Sequence, residues 1–296
     1  MIKRLLIFAL LFGIVSICAP PCQANEIILG IHTFKGPVAA TKDWTATAEY
    51  LSAKLGKTFK MVPLTDDQLR EGVSKGKVDF FFCNNTIYAE LNKLSNAQAI
   101  ATMVKSYKGR TTEFVASAII VRRDSPIKSL ADFKGKSIIV RGKSSFGGWI
   151  VAKRLFLERG IVPERDLKEV RETTETDNLI WAVLNRAVDG AATISGILEE
   201  MVDAGKVKME DFRVIEPVSD SLFFAHSSPL YPDFPMAASA HVPANLKNEV
   251  AQALFNLTES DKAAKDAKIA GWKKPSDYAP VMECLTAVQY GPFGKK

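Results

Sequence analysis

The run Gly142-Lys143-Ser144-Ser145-Phe146-Gly147-Gly148 is the part of this 296-residue chain best suited to chemistry on a small anion. It lies between a β-branched segment, Ser137 to Val140, and a segment from Trp149 to Glu158 in which Ile150, Val151, Leu155 and Phe156 recur at helical spacing before Gly160. Backbone N–H groups at a helix start lack intrahelical partners, and together with the positive end of the helix dipole they attract anions. Ser144 and Ser145 can cap those groups, as in many helices, or join them as donors to a ligand; Lys143 adds a full positive charge. Two sharper chemistries fail on spacing. A Walker loop needs glycine where the chain has Ser137, and a nucleophile elbow needs glycine two residues before the serine, where Ser145 has Lys143.

Other reactive residue types are scattered. His32, His226 and His241 are far apart, none lies in a His-Glu-x-x-His pattern, and there is no Cys-x-x-Cys, so no metal site is predicted. No nucleophile can be paired with a base, which predicts no catalytic residue, no cofactor and no enzymatic turnover; a periplasmic hydrolase or transferase is the least supported alternative.

The elements that must position the loop alternate between strand and helix. Glu26 to Ile31 reads as a strand ending in His32-Thr33-Phe34-Lys35-Gly36, followed by a helix from about Lys42 to Leu55. Phe59 to Pro63 is a second strand, and Val78 to Cys83 a third, nearly all apolar as buried parallel strands are, with Asn84-Asn85-Thr86 at its end. Phe114 to Arg122 is long enough to pass between two lobes, and Phe212 to His226 reads as a strand and a return crossing. Lys77-Val78-Asp79 and Arg186-Ala187-Val188-Asp189 each join an amphipathic helix to a buried strand, a hint of two similar lobes. The C-terminal part reads as mainly helical. In open α/β sheets ligands bind beyond the carboxyl ends of the strands. The polar, small and aromatic residues there are His32, Thr33, Phe34, Asn84, Asn85, Thr86, Lys143, Ser144, Ser145, Phe146 and Ser195, and these form the candidate ligand-binding set. For each, the competing reading is structural: a strand-end histidine, turn asparagines, core aromatics, a helix cap.

Composition sets the class. Met1 to Ala24 carries Lys3 and Arg4, an apolar run from Leu5 to Ile17 and a small-residue cleavage site at Cys22-Gln23-Ala24, the pattern of a secretory signal peptide. Ile17 and Pro21 precede the cysteines where a lipoprotein needs a small residue, so an exported protein without stable membrane insertion is expected. Without residues 1–24 there remain 37 basic side chains against 33 acidic, a net charge of +4. These are interspersed, which argues against nucleic acid as a partner and is compatible with attraction for small anions. Cys83 and Cys284 remain, and a disulfide or two buried free thiols are both open readings.

Tyr50 to Leu55, Val62 to Leu64, Gly76 to Asp79, Val121 to Ser125, Ser129 to Lys136 and Leu184 to Asp189 stand in an order and spacing that resembles the periplasmic solute-binding proteins of the phosphate, phosphite and phosphonate uptake family. The tail, with Pro229 to Pro235, Gly271-Trp272, Pro275, Asp277 to Val281 and Gly291 to Phe293, resembles the extracytoplasmic sensor domains of tetrathionate-type histidine kinases, which share the fold. The resemblance implies an α/β, two-lobed type II periplasmic binding protein, each lobe a mostly parallel sheet flanked by helices, joined by a two-strand hinge. The division expected is residues 1–24 as signal peptide, 25–117 as the first part of lobe 1, 118–218 as lobe 2, and 219–296 as the completion of lobe 1 with the C-terminal helices. It further implies a periplasmic monomer that binds a small anionic ligand and serves an ABC transporter permease or a sensor histidine kinase. The family's Ser-Thr-Ser grip falls on Ser144, Ser145 and Phe146, so two hydroxyls remain and an aromatic ring replaces the third. The family's acidic partner for an aminoalkyl group falls near Ile194 and Ser195, where no carboxylate stands.

Overall fold

The computed structural model describes residues 26–294, so the expected signal peptide lies outside the described residues. The strands, in chain order, are β1 (Ile27–His32), β2 (Phe59–Leu64), β3 (Phe80–Phe82), β4 (Gln98–Tyr107), β5 (Arg110–Thr112), β6 (Phe114–Val115), β7 (Ser117–Arg122), β8 (Ser137–Val140), β9 (Glu169–Glu172), β10 (Gly190–Ile194), β11 (Phe212–Val214), β12 (Tyr231–Pro232), β13 (Pro235–Ala238) and β14 (Gly271–Lys273). One sheet has the order β14-β4-β13-β3-β1-β2, with β5 against β4; the second has the order β11-β7-β10-β8-β9; and β6 pairs with β12 in a two-stranded ribbon. Two lobes therefore share two connecting segments, and the protein is a two-lobed α/β structure with helices on the faces of each sheet.

Both lobes contain the same parallel unit. In the first, β1 lies between β2 and β3; in the second, β8 lies between β9 and β10. Around these units each sheet is mixed, and the topology requires it. The parallel strands run toward the cleft, whereas β7 and β13 enter their lobes from the cleft and must run away from it. Accordingly β7 is antiparallel to β10, and β13 is antiparallel to β3 and β4.

The Val-Asp sequences on either side of the hinge do the same work in both lobes. Asp79 Oδ2 accepts the N–H of Ile28 at 2.7 Å, and Asp189 Oδ2 accepts the N–H of Ser137 at 2.7 Å together with its hydroxyl. Each carboxylate thus ties down the start of the neighbouring parallel strand. Around Asp189 burial opposes ionisation, but the Ser137 hydrogen bonds and the charges of Lys136 and Lys168 outweigh it and hold the carboxyl below the usual range.

Cores form on both faces of the sheets. In β3, Phe81 joins one apolar cluster while Phe80 and Phe82 join another with Trp44, Leu51 and Trp272, as the two-residue period of a strand demands. The run Phe114 to Arg122 divides into β6 and β7 at Ala116, whose N–H donates to Ser195 Oγ and whose carbonyl accepts the Ser195 N–H. The mainly helical C-terminal region includes β14 as well as the helices Ala244–Phe255, Lys262–Ala267 and Ala279–Ala287. The helices before the second crossing begin with α1 (Pro37–Leu55), α2 (Asp66–Ser74), α3 (Asn85–Ser95) and α4 (Val151–Glu158); the helix Ala279–Ala287 packs on α3, α4 and β12, so it bridges elements of both lobes. Cys83 and Cys284 are free and buried, and burial pushes both thiols above their usual pKa, which leaves them poor nucleophiles. No helix among the described residues is long and apolar enough to cross a membrane.

Replacing Asp189 by Ala should lower stability by about 1–2 kcal/mol in urea unfolding, the scale of a hydrogen bond to a charged group partly open to solvent. Because its folded pKa is depressed, the wild-type advantage should be present above the unfolded pKa near 3.9 and disappear as pH falls through the folded value. An advantage unchanged down to strongly acid pH would refute this role.

Candidate functional site

The carboxyl ends of β1, β3, β8 and β10 meet across a cleft that encloses a cavity of about 490 Å³. From the second lobe come Arg141, Gly142, Ser144, Ser145, Phe146, Gly147 and Gly148, with Thr174, Thr176, Thr193 and Ser195. The first lobe contributes His32, Phe34, Lys35, Trp44, Phe82, Asn84, Lys105 and Phe234.

The expected helix start is wider than an α-turn. Ser145 carbonyl accepts from both Trp149 and Ile150 N–H, and Phe146–Ile150 forms a π-helical turn ahead of α4. Its first N–H groups lack intrahelical partners by geometry. Ser145 makes no side-chain cap to the turn, so its hydroxyl is not committed there. Two glycines allow this shape. A Cβ at Gly148 would lie 2.6 Å from Ser145 Oγ and displace that hydroxyl, and one at Gly147 would lie 3.1 Å from Ile194 Cγ1 and press the turn against the end of β10.

Arg141 follows the last residue of β8 and donates from Nη2 to the Phe34 carbonyl across the cleft. Burial lowers its pKa, and Glu175 is the acidic side chain that counters this; an arginine stays charged regardless. The cleft walls likewise crowd the Lys35 ammonium and lower its pKa, opposed by Glu200 across the cleft and by Asp43. Lys105 is committed differently, 3.1 Å from Asp233, a carboxylate with 0% exposure beside β12. The lobes also touch through Lys108 and Asp203 at 2.7 Å, and the Tyr107 ring lies against Phe223 and Phe224 of the segment returning toward the first sheet.

Seven of the candidate residues line the cavity: His32, Phe34, Asn84, Ser144, Ser145, Phe146 and Ser195. His32 is 5% exposed; its Nε2 is 2.5 Å from Asp66 Oδ1, while Nδ1 is buried without a partner. The His32 hydrogen bond holds the Asp66 carboxyl below its usual pKa against the effect of burial. Asn84 caps α3 by accepting the Ile87 N–H, which leaves its amide nitrogen for other partners. Ser195 lines the cavity while accepting the Ala116 N–H. The Phe146 ring is 2% exposed and lies edge-on to Tyr231, 5.0 Å between centroids, so it packs on the hinge ribbon and meets the cavity only at its margin.

The other four lie elsewhere. Thr33 donates to the Leu64 carbonyl and lines the outer mouth of the cleft. Asn85 is fully buried and donates to the Pro232 carbonyl at 2.8 Å, and Thr86 is fully buried beside it in α3. Lys143 turns outward to Glu172, 3.5 Å away, because Gly142 carries the backbone past the cleft at a positive φ of 151°. Missing from the sequence-derived set are charged residues (Arg141, Lys35, Lys105, Lys268, Asp43, Asp66 and Glu200), aromatic ones (Trp44, Phe82, Tyr107, Phe224 and Phe234) and the hydroxyls of Ser106, Thr174, Thr176 and Thr193, with small and aliphatic neighbours. For Arg141 a signal existed, since it is the first residue beyond the strand that opens the anion loop.

The sequence profile of the family described as "ABC transporter, phosphonate, periplasmic substrate-binding protein" matches residues 29–279. The chain is 29% identical over 266 residues to the tetrathionate sensor histidine kinase TtrS of Salmonella typhimurium, covering 89% of this chain and 44% of that protein. It thus spans less than half the length of that relative. It is 22% identical over 279 residues to the phosphonates-binding periplasmic protein of Escherichia coli, covering 90% of this chain and 77% of that one. Among solved structures, PhnD1 of Prochlorococcus marinus in complex with methylphosphonate superposes with a TM-score of 0.69 at 15% identity, covering 88% of this chain and 97% of that one. At that identity the likeness concerns the fold.

The cross-cleft bonds of Arg141 and Asp203 should hold the lobes together. With both changed to Ala, the ligand-free protein should show a larger radius of gyration in small-angle X-ray scattering; an unchanged profile would mean that these bonds do not set the lobe angle.

Proposed function

Since the chain belongs to the family of periplasmic substrate-binding proteins of phosphonate ABC transporters, we propose that it captures a small oxyanion of the phosphonate, phosphite or phosphate type between its lobes and delivers it to an ABC transporter permease. The observation that carries this reading is the position of Arg141, a partly desolvated guanidinium beside the π-helical turn with its open N–H groups and uncapped Ser145. On this reading Arg141, Ser144, Ser145 and the N–H groups of the turn hold the anion from the second lobe. His32, Phe34, Asn84 and Lys35 answer from the first, and Ser195 contributes from the end of β10. Thr33, Asn85, Thr86 and Lys143 support the loops around the ligand without touching it.

The energetics are sufficient without catalysis. Micromolar affinity corresponds to about −8 kcal/mol, and four hydrogen bonds to charged groups at roughly 2 kcal/mol each give a gross term of that size. Lobe closure subtracts from this, while exclusion of water strengthens what remains. The reading is therefore a monomeric binding protein of the periplasm, exported by residues 1–24. Its lobes divide at about 117 and 218, and it closes by a hinge at β6 and β12.

A second reading rests on the 29% identity to the sensor kinase, which exceeds the 22% to the phosphonates-binding protein. Here the closed protein docks on a sensor histidine kinase, and a sulfur oxyanion becomes a candidate ligand. The two differ in what the loaded protein stimulates: ATP hydrolysis by a permease in proteoliposomes, or autophosphorylation of a kinase.

The primary test is a thermal-shift screen of residues 25–296 against phosphate, phosphite, phosphonates, sulfur oxyanions and small carboxylates. A native-state ligand at a hundredfold over its dissociation constant should add about 2.7 kcal/mol. The expected result is a saturable rise with one oxyanion class, with affinity falling more than tenfold in calorimetry for Arg141→Ala and for Ser144→Ala with Ser145→Ala. No rise with any anion, or unchanged affinity in both variants, would overturn the assignment.

A further inference from the structure

The size and lining of the cavity bear on what is attached to the anion. With Arg141 already bonded to Phe34 and Lys108 to Asp203 across the cleft, about 490 Å³ of cavity remains between the lobes. That is room for many waters. A tetrahedral oxyanion of about five heavy atoms would fill a minor part of it. The rest would stay wet, and water around the anion would weaken the very interactions that closure is meant to strengthen.

The two walls differ in chemistry. The second lobe offers hydroxyls, glycines and N–H groups. The first offers an aromatic face built around Phe82, whose ring centroid lies 6.4 Å from Phe34, 6.0 Å from Phe234 and 4.1 Å from Trp44, with Phe34 and Phe234 5.9 Å apart. The Phe34 and Phe234 contacts are tilted or edge-on, and both residues are only half-buried, so part of each ring is left to the cavity they line. Lysine ammonium groups flank both rings, Lys35 at 5.9 Å from the Phe34 centroid and Lys105 at 5.8 Å from that of Phe234. Arg141 ties the two walls together. Its guanidinium holds the carbonyl of Phe34, so an anion gripped by Arg141 lies within one side-chain length of the Phe34 ring.

We infer that the ligand is a substituted organic oxyanion, with a tetrahedral phosphonate or sulfonate head on the second lobe and a flat apolar group against Phe34 and Phe234. This rests on the oxyanion-binding function proposed above and narrows it. The apolar group displaces the water that a bare anion would leave, and stacks or packs edge-on where the wall rings are open. The short stem of a methyl group cannot reach both rings.

The test compares phenylphosphonate with methylphosphonate, and benzenesulfonate with methanesulfonate, by calorimetry on wild type, Phe34→Ala and Phe234→Ala. In the pair that binds, the aryl compound should bind more than tenfold tighter than the methyl compound, and that ratio should fall below threefold in both variants. Equal or tighter binding of the methyl compound to wild type overturns this inference and leaves oxyanion binding standing. A wild-type preference that survives both variants overturns the assigned wall. If none of the four binds, this inference falls, and the anion screen decides whether oxyanion binding falls with it.

Discussion

Two strands cross from one sheet to the other at the floor of the cleft, and the main-chain groups they expose there must find partners. A buried N–H or carbonyl without one costs as much as a lost hydrogen bond. The pairing of β6 with β12 satisfies some of them. Others are met by Ser195 at the cavity edge, by Asn85, and by serines of the returning segment itself. Ala116 exchanges two bonds with Ser195, the N–H groups of Ser117 and Ile119 donate to Ser228 and Ser227, and the Pro232 carbonyl takes the Asn85 amide. Hinge and candidate site therefore share Ser195, which bonds the crossing strand and lines the cavity.

This constraint explains which parts of the site could be read from sequence. Loops beyond strand ends are rich in serine and asparagine whether those residues face a ligand or a crossing strand, because both tasks need short polar side chains. Asn84 and Asn85 are adjacent and chemically identical, yet one lines the cavity and the other is locked under the hinge. Only the direction of each side chain separates them, and that direction follows from where α3 packs. The strand, loop and helix from Ser137 to Glu158, the alternating strands and helices and the two Val-Asp repeats were legible because each is local; that Asp79 and Asp189 anchor the neighbouring strands was not, since those contacts span about fifty residues. Lys35 and Lys105 were not, since a lone lysine in a loop or near a strand end reads as solvated surface until a second lobe lies over it, and the signal at Arg141 was its place directly after β8. The strand β14 escaped notice for a similar reason: three residues carry no periodicity of their own, and it is a strand only because β4 lies beside it.

The charges in the cleft do not simply add. Lys105 is neutralised by Asp233, and Asp66 is engaged by His32 and faces Arg70. What remains toward the ligand is Arg141 with Lys35 and Lys268, opposed by Asp43 and Glu200. A modest positive excess of this kind draws anions, while the attraction of Glu200 for Lys35 across the cleft favours approach of the lobes whether or not a ligand is present.

Phe146 shows how the anion turn and the hinge are coupled. Where the uptake family has a third hydroxyl, this chain has a ring packed edge-on against Tyr231 in the hinge ribbon, and the Tyr231 hydroxyl lies 3.4 Å from Arg154 of α4. On the proposed reading a hydroxyl there would donate to the anion. The ring instead packs the turn against the crossing strand, so a shift of the turn presses on β12, and a packed contact between turn and hinge ribbon stands where a donor would be.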